Sequence, residues 1–110
     1  MGKQTRKRPK RLPEKLFEIR QKLGLSQSEM VRRLGLENEI ERDYISKFER
    51  GTLEPTLWIL LQYARSANVY VDVLIDNELD LPEKLSAGIK TEGVRRKRAK
   101  GAPKKDEGII

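Results

Sequence analysis

The segment Leu23 to Gly51, LGLSQSEMVRRLGLENEIERDYISKFERG, carries the punctuation of two short helices joined by a turn. Ser26 followed three residues later by Glu29 is a capping box, in which two side chains satisfy amides that a helix start leaves unpaired. Gly35 and Gly51 stand where the two helices should end, because glycine enters the left-handed conformation of a helix C-terminus without a Cβ clash. Met30, Val31 and Leu34, then Ile45 and Phe48, recur at helical spacing and give each helix one face to bury. The pattern constrains the chain to an all-α fold.

The flanks extend it. Leu12, Leu16, Ile19 and Leu23 describe an amphipathic first helix with Pro13 in its first turn and Gly24 at its end. The second helix runs from about Ser26 to Leu34, and the third ends near Arg50. Thr56 can cap a fourth helix, with Leu57, Leu60, Leu61 and Ala64 as one face. Val69, Val71 and Val73 alternate with Tyr70 and Asp72, which taken alone argues for a strand.

Charge divides the chain in three. Residues 1–11 carry six basic side chains and no acidic one, and residues 94–110 carry seven basic and two acidic. Residues 12–93 hold 11 basic and 15 acidic, so an acidic body lies between two basic ends within a net charge of +7. A polyanionic partner follows, with the ends supplying non-specific attraction. Residues 1–11 have almost no apolar side chains and read as a disordered arm; 82–110 read as a flexible basic tail, with one or two helical turns near Glu83 to Ile89. The run Val94-Arg95-Arg96-Lys97-Arg98-Ala99-Lys100 suits a DNA arm, an import signal or merely solubilising charge, and the domain before it favours the first.

The residues LSQSEMVRRLG, YISKFERGTLEP and LLQYARSANVYVDVLI resemble the helix-turn-helix domain of Cro- and C1-type bacterial and phage repressors, the XRE family. The resemblance covers residues 12–81. It implies a compact bundle of about five short helices, lambda repressor-like, with a fifth helix at Val71 to Asp76 in place of the strand. The implied function is sequence-specific binding of double-stranded DNA by a transcriptional regulator, a repressor acting as a homodimer. Val69 to Leu81, whose valines and leucines would need cover if exposed, is the expected dimer contact.

With Ile45 facing inward, the outward arc of the third helix (about residues 42–50) holds Arg42, Asp43, Ser46, Lys47 and Arg50. By resemblance Arg42, Asp43, Ser46 and Lys47 address base edges. Arginine can donate two bonds to guanine and a carboxylate can accept from cytosine. Gln27, Ser28, Lys47, Arg50 and Thr52 are phosphate-contact candidates. The plain alternative is a solvated charged face. Arg20 and Glu49 resemble an ion pair that links the first helix to the third. Phe48, Trp58 and Tyr63 could form a base-stacking platform, but core packing suits Phe48 better, while Trp58 is evenly balanced.

The joint departs from the resemblance. Gly35 to Ile45 spans ten steps, about four more than the family pattern implies, within Leu36-Glu37-Asn38-Glu39-Ile40-Glu41. Either the turn is longer, with Glu41 as an imperfect cap and Ile40 stapled to Ile45, or the third helix starts a turn early with Asn38 as cap. In both cases the glutamates are expected to pair with Arg32, Arg33 or Arg42, or to be solvated. They lack the spacing of a calcium loop.

Enzyme readings find little support. The chain has no histidine and no cysteine, hence no imidazole base, thiolate nucleophile or zinc set, and no glycine-rich phosphate loop appears. No cofactor or metal is expected. Without a membrane span or signal segment, a cytoplasmic, nucleoid-associated location is expected. The alternative class is a protein-interaction module: an antitoxin of a toxin–antitoxin pair, or a bridging coactivator, engaging a protein partner through the C-terminal tail.

Overall fold

The computed structural model describes residues 8–85 and the backbone of Val94–Arg95. Five helices, α1 (Leu12–Leu23), α2 (Gln27–Arg33), α3 (Arg42–Arg50), α4 (Leu57–Ala67) and α5 (Val71–Ile75), are followed by two two-residue strands, β1 (Leu79–Asp80) and β2 (Val94–Arg95). One core gathers side chains from every helix, with Leu16, Ile19, Met30, Ile45, Tyr63, Val73 and Leu74 among those fully enclosed.

Helix α1 has Pro13 in its first turn and stops at Gly24 in the left-handed conformation. Its buried stripe contains a surprise, Lys15, which is wholly enclosed. Its Nζ donates to the carbonyl oxygens of Val73 at 2.7 Å and Asp76 at 2.9 Å. These carbonyls belong to the end of α5, where a helix runs out of internal donors. Burial pushes the Lys15 ammonium pKa down, Arg11 adds to this, and the carboxylates of Asp80, Asp76 and Glu14 oppose it.

Val71–Ile75 is helical, with Tyr70 and Asp76 extended on either side and Val69 in a single bridge. Val69 and Val73, four apart, are buried together with Leu74, whereas Val71 is only half-buried. A strand would have put Val69, Val71 and Val73 on one face; instead α5 turns Val73 and Leu74 into the core and leaves Val71, in its first turn, half-buried. Tyr70 occupies the N-cap and its side chain makes no cap bond to the helix. Within the stretch expected as a dimer contact, Val69, Val73, Leu74 and Leu81 are buried in the chain's own core, while Tyr70 and Ile75 are exposed.

Helix α4 is capped by Thr56, whose hydroxyl accepts from the Ile59 amide. Its buried face comprises Ile59, Leu60, Tyr63, Ala64 and Ala67. The face expected from the leucines is therefore rotated: Leu57 is 84% exposed and Leu61 half-buried. Tyr63 fills the position that matters, and burial with the nearby Glu49 charge pushes its phenol pKa up.

Arg11, counted with the arm in the sequence, donates its backbone amide to Asn77 Oδ1 and its guanidinium to the carbonyls of Asn77 and Leu79. It also pairs with the Asp80 carboxylate, the main cause of its raised pKa. Val94–Arg95, read in the sequence as part of the tail, pairs antiparallel with Leu79–Asp80. Residues 83–85 are not helical, and the rest of the helical turn expected at 83–89 lies outside the described residues.

Candidate nucleic-acid interface

The α2–α3 unit is built as its punctuation requires. Ser26 Oγ accepts from the Glu29 amide at 3.1 Å, and the Ser26 amide donates to Glu29 Oε1 at 2.8 Å. These bonds hold the Glu29 carboxyl below its ordinary pKa. Met30, Val31 and Leu34 are buried against the core.

The inserted joint takes the first of its two forms. Leu36 is buried, and the chain turns over residues 37–39 with the amides of Glu39 and Ile40 both donating to the Leu36 carbonyl. Glu41 is the N-cap of α3 and makes no side-chain cap bond. Ile40 is half-buried against the core cluster. Glu37, Glu39 and Glu41 are exposed, and among the described residues none pairs with Arg32, Arg33 or Arg42.

Two contacts fix α3 from beneath. Ile45 and Phe48 enter the core. Arg20 and Glu49 then form a bidentate bridge, Nε to Oε2 at 2.7 Å and the second guanidinium nitrogen to Oε1 at 2.9 Å. Their side chains are 12% and 7% exposed, so water competes little. Arg20 also donates to the Leu25 carbonyl at 3.0 Å and lies over the Phe17 ring. The bridge thereby grips the α1–α2 corner and α3 together.

The opposite side of α3 faces solvent. Arg42, Asp43, Lys47 and Arg50 are exposed and Ser46 is half-buried. Lys47 Nζ lies 3.8 Å from Asp43 Oδ2 and 5.8 Å from the centre of the Tyr44 ring. Arg50 Nε donates to the Ser46 carbonyl at 3.3 Å. Thr52 contributes its amide and hydroxyl to the Lys47 carbonyl, capping the helix end. At the start of α2, Ser28 is exposed, whereas Gln27 is half-buried with Nε2 at 3.5 Å from Glu49 Oε1.

Sequence reasoning passed over Tyr44, which is 39% exposed beside Asp43 and Lys47 and stacks edge-on against Phe48. Its place one residue before the buried Ile45 was the available signal. Of the three aromatics considered for stacking, Phe48 and Tyr63 are core residues and Trp58 is 59% exposed. Among the described residues no group of carboxylates could hold a metal ion, and no helix is long and apolar enough to cross a membrane.

The helix-turn-helix family pattern matches residues 16–74, more than half of the chain. No curated protein and no solved structure matches it. The matched span begins at Leu16 on α1 and ends at Leu74 on α5, so it contains the whole α2–α3 unit and its supports. The family is one of DNA-binding transcription regulators rather than of enzymes. The chain belongs to the XRE family of Cro/C1-type helix-turn-helix DNA-binding proteins.

Proposed function

We propose that the protein is a sequence-specific repressor that binds double-stranded DNA as a homodimer and lays α3 in the major groove. The observation that carries this reading is the two-sidedness of α3. Ile45, Phe48 and the Arg20–Glu49 bridge hold one side, while Arg42, Asp43 and Lys47 stand exposed on the other. Arg42 and Asp43 lie in the first turn, where a recognition helix enters the groove, with Ser46 and Lys47 one turn on. Gln27, Ser28, Lys47, Arg50 and Thr52 serve the phosphates and set register. Occupying DNA in this way blocks its use by other proteins, and the site of action is the nucleoid in the cytoplasm.

Selection from random duplex DNA tests this. It should use the full chain and a version lacking residues 1–7 and 96–110, which spares Arg11 and β2. Both should enrich one inverted repeat. Arg42→Ala should relax preference at one base position by roughly 1–3 kcal/mol, whereas Lys47→Ala should weaken all sequences alike and lower the salt slope by about 1. Equal behaviour of the two variants would overturn these roles. Enrichment of nothing would leave only electrostatic attraction from the basic ends, and the protein-interaction reading would replace this one.

A further inference from the structure

The first turn of α1, the end of α3 and the link at residues 51–56 enclose a groove of about 260 Å³. Leu12, Pro13, Phe48, Leu53 and Pro55 make it apolar. Leu12, Phe48 and Pro55 are buried, while Leu53 at its lip is 38% exposed. Pro9 also lines it, so three prolines stiffen the backbone of its walls. The Pro9 carbonyl accepts from the Leu12 amide at 3.2 Å, and Arg11 between them is tied to Asn77, Leu79 and Asp80. The wall is therefore set before anything binds, which spares a ligand the cost of ordering it.

We propose that this groove binds a small apolar carboxylic acid, and that the bound acid weakens the protein's hold on DNA. The second half rests on the DNA-binding reading above; the site itself does not. Charge complementarity selects the ligand. Arg8 and Lys10 lie on the lining and are exposed, and among the described residues neither forms an ion pair. Glu54 is the one acid on the lining, so the groove carries a net positive charge. Apolar walls with a few charged groups that fix orientation are the usual make-up of a small-molecule site. Here they call for a hydrocarbon body in the groove and a carboxylate against Arg8 and Lys10, with the guanidinium able to pair with both oxygens. Drug-sized ligands take roughly 300–1,000 Å³, so this smaller volume suits a body of about eight carbons.

The same two cations connect the groove to DNA. They belong to the basic N-terminal segment, whose attraction to phosphates works by releasing counterions and falls with salt. A carboxylate held against Arg8 and Lys10 neutralises charge that would otherwise release those ions. Losing two phosphate contacts flattens the dependence of log affinity on log salt by about 1.8. Phe48 and Gly51, also on the lining, belong to α3 and its end, so the acid sits beneath α3 and leaves its outward arc clear. The coupling is reciprocal, and DNA lowers the affinity for the acid by the same factor.

Octanoate is the probe, with octanol and octylamine as comparators of equal chain length. On the full chain without DNA, octanoate should shift the methyl resonances of Leu12 and Leu53 saturably and bind on the order of 10-fold more tightly than octylamine. Arg8→Gln with Lys10→Gln, both at exposed positions, should weaken octanoate about 5-fold and leave octanol unchanged. Leu53→Glu should abolish binding of octanoate while circular dichroism stays that of the parent. Equal affinity for octanoate and octylamine, or shifts that miss Leu12 and Leu53, would overturn the site. A chain lacking residues 96–110 should bind octanoate as the full chain does; tighter binding would mean that the protein's own C-terminal segment fills the groove, and would overturn the assignment. At matched ionic strength, saturating octanoate should weaken binding to the selected duplex several-fold at low salt and flatten the salt slope by about 1.8. Unchanged duplex affinity on octanoate-saturated protein would overturn the coupling alone. A chain with no preference among duplexes would overturn the DNA reading, while the methyl shifts still decide the groove.

Discussion

Glu49 sets the position of a whole helix with two oxygens. Both go to Arg20, and Gln27 lies within reach of one of them. Glu49→Ala leaves the Arg20 guanidinium enclosed with only the Leu25 carbonyl as polar partner, and should cost about 3 kcal/mol in urea denaturation. Replacing both residues, Arg20→Met with Glu49→Leu, removes the stranded charge and should cost clearly less. The reverse order would show that the bridge's net attraction, not the penalty for breaking it, dominates. This pair was legible in the sequence because its two positions carry a family pattern. Lys15 was not. Between Leu12 and Leu16 a lysine reads as a solvated side chain, and the carbonyls that receive it lie 58 and 61 residues further along. Arg11 was missed for the same reason, since its partners at Asn77, Leu79 and Asp80 are supplied only by the completed fold.

At the scale of elements, helix ends were more legible than helix faces. Capping needs only near neighbours, and Ser26, Thr56, Gly24 and Gly51 all perform it. Which face is buried depends on what packs against it, so the leucines of α4 misled: Tyr63 takes the core while Leu57 does not. At the joint, the sequence showed that residues were extra but not their shape, because Asn38 and Glu41 both offered a cap; the buried Leu36 anchors the longer turn. Gly51 has a second duty beyond ending α3. Its φ is 76°, and a Cβ there would lie 3.1 Å from Pro13 Cγ in the first turn of α1. Gly51→Ala should therefore cost about 2 kcal/mol, against about 1 for Gly24→Ala, which meets open space at φ 70°. Thermal melts of the two variants compare them directly; equal losses would mean that Pro13 yields freely.

Across the whole molecule, the basic ends and the acidic middle were plain from composition, but not where the ends lead. Arg11 and Val94–Arg95 both fasten onto Asn77–Asp80, one through a side chain and the other through a backbone ladder. The described fold is thus almost a ring whose seam happens to fall at this knot. A seam can be moved. Joining Ile110 to Met1 and opening the chain at the exposed turn between Glu37 and Asn38 gives a circular permutant in which the two helices of the motif are no longer consecutive. Since α3 is gripped by α1 through Arg20 and Glu49, the permutant should fold and keep the half-site preference of the parent, measured by circular dichroism and duplex titration. Loss of preference in a folded permutant would show that the covalent joint itself orients α3. The name helix-turn-helix credits the turn; a permutant that keeps its preference would make the turn a strap, and the orientation of α3 a property of the floor it stands on.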